Sequence, residues 1–97
     1  MRHEIILSPE AVADFYVLKA SLRAKVSQGL ETHLRHEPTK TSRSRIKRLR
    51  GLSRPQYRVR IEDVRVFYDV SGSTVEVLTI VAKSEADKWL AQFANPK

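Results

Sequence analysis

No cysteine occurs in this chain, which excludes disulfides, thiolate nucleophiles and the usual cysteine-rich zinc sites. The absence suits a reducing compartment, and a cytoplasmic location is expected. No apolar run approaches the roughly 18 residues of a membrane span. Met1-Arg2-His3-Glu4-Ile5-Ile6-Leu7 is too short and too charged to read as a signal peptide, so no membrane association is expected. The 3 glycines are dispersed and form no phosphate-binding loop. Carboxylate dyads and nucleophile elbows are also missing. His33 and His36 have only Glu37 as a candidate carboxylate partner, a poor ligand set, so neither metal nor cofactor is expected.

A further absence is local. From Thr39 to Arg60 there is no acidic residue, while Lys40, Arg43, Arg45, Lys47, Arg48, Arg50, Arg54, Arg58 and Arg60 are all cations. The whole chain carries 18 basic and 11 acidic residues, so its net charge of +7 arises within this stretch. Such a block serves a polyanion: a phosphate backbone, an acidic protein segment or an anionic membrane.

With 97 residues, 41% hydrophobic and 30% charged, the chain suits one globular domain spanning 1–97. Its pattern predicts an α+β fold in the order β-α-α-β-β-β-α. A helical hairpin packs on a mainly antiparallel sheet of about four strands. Residues 2–7 read as the first strand. Ser8-Pro9-Glu10 opens a helix with a hydroxyl cap, a proline at a position that needs no N–H, and an acid at the positive end. Ser21 is placed to cap a second helix, in which Leu22, Val26, Leu30 and Leu34 recur every four residues. Pro38 stops it. The basic stretch follows, partly as loop, with Gly51 and Pro55 as breakers.

Strand parity decides which of the last cations share a face. Segments 56–61 and 64–70 alternate around Glu62-Asp63, pairing Ile61 with Val64, Val59 with Val66 and Tyr57 with Tyr68. Glu-Asp is a poor two-residue turn, which favours a longer loop with the same pairing. Gly72-Ser73 suits a tight turn and would pair Tyr68 with Val77 and Val64 with Val81. Valines, isoleucine and tyrosines then form the core face. Arg58, Arg60 and Arg65 occupy the other, bordered by Phe67, Leu78 and Ile80. Arg60 opposes Arg65, an arrangement that costs a sheet about 0.2–1 kcal/mol. Three arginines fed by a basic approach segment of Lys47, Arg48, Arg50 and Arg54 point to an anion site.

Ser84 followed by Asp87 reads as the capping start of a last helix. Ala86, Trp89, Leu90 and Phe93 form its apolar stripe, with Trp89 as a core anchor.

In order and spacing the chain resembles the RelE/ParE toxins of bacterial type II toxin–antitoxin systems. The likeness rests on Lys47-Arg48-Leu49-Arg50-Gly51-Leu52, Tyr57-Arg58-Val59-Arg60-Ile61, Val64-Arg65-Val66-Phe67-Tyr68-Asp69-Val70, then 75–81 and Lys83. It covers nearly the whole chain. The resemblance implies a microbial-ribonuclease-like fold, with catalytic basic positions at Arg58, Arg60 and Arg65 and weaker ones at Lys83 and Ser84. For the RelE branch it implies a metal-independent mRNA endonuclease that acts on the ribosome and arrests translation. For the ParE branch it implies inhibition of DNA gyrase. A basic RNA-binding member without activity is a third reading. RelE-type enzymes place an arginine after the last strand and a tyrosine near the C-terminus; here stand Ser84, and Trp89 with Leu90. The resemblance also implies an acidic antitoxin encoded in the same operon, which meets the basic face or the helix around Trp89 and Phe93.

Overall fold

A computed structural model describes residues 2–97. Strand β1 (Glu4–Leu7) leads into helix α1 (Pro9–Val17). Ser8 caps the helix as its sequence predicts. Its hydroxyl accepts from the Ala11 amide at 3.1 Å and donates to the Leu78 carbonyl at 2.9 Å, so the cap also ties α1 to the sheet. Helix α2 (Ala20–Leu34) starts after Lys19, which makes no side-chain cap. Ser21 therefore lies within the first turn instead of capping it. The connection is too short for a separate cap, and Arg23 meets the need from the other side. Its guanidinium donates to the Leu18 carbonyl at 2.9 Å and the Tyr16 carbonyl at 3.3 Å, satisfying orphan acceptors at the end of α1.

Strands β2 (Ile46–Arg48), β4 (Tyr57–Ile61), β5 (Val64–Ser71) and β6 (Thr74–Ala82) join β1 in one sheet, ordered β1-β6-β5-β4-β2. Only β1 on β6 is parallel; the remaining pairs are antiparallel. The sheet thus has five strands, one more than expected. The added strand, β2, lies inside the basic stretch, where three residues are too few to display alternation. Its anchor is Ile46, buried opposite Val59. A separate short ribbon pairs β3 (Leu52–Arg54) with β7 (Asn95–Pro96). Between β6 and β7 the chain makes a 3-10 turn at Lys83–Glu85 and helix α3 (Ala86–Phe93). Ser84 makes no cap here; the residue preceding α3 is Glu85, and it makes no side-chain cap either. No helix among the described residues is long and apolar enough to cross a membrane.

The β4–β5 register is the predicted one, from Tyr57 opposite Tyr68 to Ile61 opposite Val64. The turn is the short Glu62-Asp63 rather than a longer loop, and Glu62 adopts φ 52°. A left-handed glutamate is strained by roughly 1–2 kcal/mol. Neighbouring groups hold it: Arg65 donates to the Glu62 carbonyl at 3.3 Å, and Lys25 lies 3.6 Å from the Glu62 carboxylate. Across β5–β6, Tyr68 opposes Val77 as predicted, but the register then shifts, so that Phe67 opposes Thr79 and Val64 opposes Ala82 rather than Val81. Leu78 is the extra residue of this bulge. The shift brings Ile80 into the core, where the plain alternation had placed Val81.

The core lies between the helical hairpin and one sheet face. Val26, Leu30 and Leu34 of α2 and Ala11 of α1 pack on Val59, Ile61, Val66, Tyr68, Val77 and Ile80. Gly29 brings α2 against β4, for a Cβ there would stand 2.7 Å from Ile61 Cδ1. Tyr68 is fully buried and its hydroxyl donates to the Pro38 carbonyl at 2.7 Å, fixing the chain beyond α2. Burial pushes that hydroxyl well above the ordinary tyrosine range.

Candidate functional site

The opposite sheet face carries the arginines. Cross-strand partners share a face, so Lys47, Arg58 and Phe67 form one row, and Arg60 with Arg65 the next. Helix α3 lies against this face, its Trp89 ring stacked on Phe67 at 5.3 Å and 7°. The tryptophan does anchor its helix, but half-buried and on the face opposite the core, not within the core as its sequence spacing predicts.

Between α3 and the sheet is a cleft of about 270 Å³. Arg58 of β4, Arg65 of β5 and Lys83 of the 3-10 turn bring three cations to it, and Asp87 of α3 brings one carboxylate. Leu49, Phe67, Ala86 and Leu90 supply its apolar walls. Arg60 stands beside the cleft, opposite Arg65, but outside its lining. Among the described residues none of Arg58, Arg60, Arg65 and Lys83 forms an ion pair.

These cations are held at a cost. Arg65 is only 7% exposed, and its guanidinium donates to the Val64 carbonyl at 3.0 Å besides that of Glu62. It faces away from the main core, as parity requires, yet it is not free in solvent. Burial, then the charge of Arg60, lowers its pKa, while Asp63 works in the opposite direction. Arg58 is partly buried, and its Nε has no hydrogen-bond partner. Burial lowers its pKa first, followed by the charges of Arg65 and Arg60. Both groups nonetheless remain charged at neutral pH, because an arginine guanidinium does not deprotonate in proteins. Like charges gathered without ion pairs, partly out of water, form a site whose electrostatics improve when an anion enters.

The approach segment divides. Lys47 lies in the row of Arg58 and is exposed. Arg48, one residue on, turns to the other face. There its guanidinium lies 5.1 Å over the Tyr57 ring and donates to the Gln56 carbonyl at 2.7 Å. Arg50 is exposed in the turn after β2. Arg54 lies 3.5 Å from the Asp69 carboxylate and 3.3 Å from that of Glu76. Ser84 is exposed and lines a neighbouring concavity with Asp63 and Asp87. Phe93 is 49% exposed and, with Trp89, Pro9, Pro55 and Leu78, lines a separate groove of about 380 Å³.

Two groups escaped sequence reasoning. Arg45 donates to the Arg60 carbonyl at 2.9 Å and so secures the sheet edge beside the site. Asp87 reads in the sequence as a helix-start acid, and nothing in the pattern tells that its carboxylate meets a cleft built from three other elements.

A family model described as the ParE toxin of type II toxin–antitoxin systems, parDE, matches residues 5–87. No curated protein sequence matches the chain. Among solved structures, the E. coli toxin RelE, a double arginine-to-alanine mutant in the free state, superposes with TM-score 0.74 at 18% identity, covering 95% of this chain and 94% of that one. The archaeal RelE–RelB complex from Pyrococcus horikoshii OT3 gives TM-score 0.70 at 20% identity, over 86% of this chain and 97% of that chain. The YoeB dimer from Staphylococcus aureus gives 0.60 at 18%, over 84% and 97%. At these identities the likeness is one of fold.

Proposed function

The chain belongs to the ParE toxin family of type II toxin–antitoxin systems, and on that premise we propose that this toxin is a metal-independent endoribonuclease acting on ribosome-bound mRNA. The observation that carries the reading is the meeting at one cleft of Arg58, Arg65 and Lys83, none of which forms an ion pair among the described residues. Cleavage without metal uses the RNA 2′-hydroxyl to attack its own phosphodiester, and charge gathers on the nonbridging oxygens. Planar, multidentate guanidiniums suit that charge. A single well-placed donor contributes about 2.7–4 kcal/mol to such a transition state. Arg58 and Arg65 clamp the phosphate, Arg60 adds positive potential from the adjoining position, and Lys83 offers the one ammonium in the cleft. Lys47 and Arg50 guide the strand toward the site, Arg48 from the neighbouring edge and Arg54 more weakly, since it already faces two carboxylates. Ser84 lies outside the clamp.

The superposable RelE–RelB complexes support a cognate acidic antitoxin for this chain, encoded in the same operon and ordered on binding. Trp89 and Phe93, beside an open groove, are its contact residues. Residues 1–97 act as one toxin domain in the cytoplasm, where ribosomes are. A second reading, inhibition of DNA gyrase by binding, is favoured by the ParE description of the matching family and by Ser84, and Trp89 with Leu90, in place of the arginine and tyrosine of RelE-type enzymes. Primer extension on ribosomes programmed with mRNA, run beside a gyrase supercoiling assay, separates the two. New mRNA ends with unaffected supercoiling support the nuclease; blocked supercoiling with intact mRNA refutes it.

A further inference from the structure

The proposed nuclease cleft contains charge stabilisers in excess, yet guanidiniums are poor proton acceptors. Cleavage needs a group that removes the 2′-hydroxyl proton. Asp87 is the sole carboxylate lining the cleft. In the sequence it reads as half of a capping pair with Ser84, which would occupy its oxygens. The structure leaves that pair unmade, for α3 begins at Ala86 and no side chain caps it. Asp87 is exposed, and no hydrogen bond or ion pair involves its carboxylate among the described residues. A carboxylate that neither caps its helix nor neutralises the three nearby cations keeps its lone pairs free for a ligand.

Resting on the nuclease reading, we infer that Asp87 is the general base of the cleft and Lys83 the general acid. The Asp87 carboxylate takes the 2′-hydroxyl proton as the 2′ oxygen bonds to phosphorus. The bond from phosphorus to the 5′ oxygen breaks, and the departing oxygen takes a proton from the Lys83 ammonium. The products are a 2′,3′-cyclic phosphate and a 5′-hydroxyl, with no water or oxidant consumed. Arg58 and Arg65, which line the same cleft, hold the phosphate. Asp87 sits in the first turn of α3 and Lys83 in the 3-10 turn before it, so one short segment of chain sets the spacing of base and acid.

The test is single-turnover cleavage on mRNA-programmed ribosomes by the full chain and by Asp87→Asn and Asp87→Glu, with ribosome binding measured in parallel. General base catalysis contributes about 10²–10⁴-fold. Asp87→Asn should therefore lose at least about 10²-fold in rate with binding unchanged, and Asp87→Glu should recover part of it. The groups facing Asp87 are Arg58, Arg65, Lys83 and, from the β4–β5 turn, Asp63. All of them persist in Asp87→Asn, so a rate that falls toward acid pH in the native chain and no longer does so in that variant assigns the fall to Asp87. If the native chain cuts and Asp87→Asn cuts within threefold of it, or faster, the base assignment is overturned and the nuclease reading stands. If the native chain does not cut, both fall together.

Discussion

Replacing Arg58 by methionine should make this toxin more stable and less active at once. Methionine keeps most of the stem that packs on the sheet and removes the charge. What is lost from the folded state is unfavourable. A partly buried cation has no ion pair, its Nε has no hydrogen-bond partner, and its charge is opposed by Arg60 and Arg65. Like charges across strands cost about 0.2–1 kcal/mol, and an unsatisfied buried donor about 1–3 kcal/mol. Against this stand the solvation the guanidinium retains at its open side and the flexibility of methionine. The balance is a gain of about 1 kcal/mol, which in a domain of this size raises Tm by roughly 4–8 °C. Cleavage should fall by about 10²–10³-fold, the loss typical of one donor at a developing oxyanion. Thermal and urea unfolding measure the first quantity and single-turnover cleavage the second. A variant destabilised by more than about 1 kcal/mol, with cleavage unchanged, would show that Arg58 serves the fold and not the chemistry.

Gly29→Ala should lower stability by about 1 kcal/mol in urea unfolding. The new methyl would stand 2.7, 2.9 and 3.1 Å from three carbons of Ile61, and that overpacking, roughly 1–3 kcal/mol, outweighs the ~1 kcal/mol gain in helix propensity. Neutralising Lys47 and Arg50 together should flatten the salt dependence of binding to single-stranded RNA by up to about 0.7 in log–log slope per lost phosphate contact, whereas Arg54→Gln should change it less, because Asp69 and Glu76 already face that cation. Asp69 titrates above the ordinary carboxylate range because of its burial, which outweighs the opposing Gln56 amide and Arg54. Its folded form holds the proton more tightly than its unfolded form, so its contribution to stability declines as pH rises from the ordinary aspartate value through the raised one. Asp69→Asn should remove that component from a plot of unfolding free energy against pH.

Much of the fold is legible in the residues because β4 alternates throughout and β5 departs from alternation only at Phe67. Tyr57, Val59 and Ile61 against Val64, Val66 and Tyr68 admit one register, and it places Arg58, Arg60 and Arg65 on a common face. Alternation cannot announce a bulge, because Leu78-Thr79-Ile80-Val81 supplies an apolar residue to either face after a one-residue slip. Strand β2 was hidden by its length and its cations, and is held by the single buried Ile46. The capping serines divide on tertiary grounds. Ser8 caps because Leu78 also accepts its hydroxyl, while Ser21 and Ser84 are overtaken by tight connections that start the helical turn elsewhere. The cleft was half legible. Parity identifies arginines on a face, but only the return of α3 across β5, through Trp89 on Phe67, brings Lys83 and Asp87 to them.

If the unpaired cations of the cleft receive the scissile phosphate, Arg65 is the residue whose loss should show it. Its guanidinium donates to the Glu62 and Val64 carbonyls, so Arg65→Ala should cost about 1 kcal/mol of stability. That is too little to unfold a domain whose expected margin is about 5–15 kcal/mol. With the fold verified by circular dichroism, single-turnover cleavage on programmed ribosomes should fall by at least about 10²-fold. Cleavage by the folded variant within threefold of the native rate would mean that the phosphate is held elsewhere.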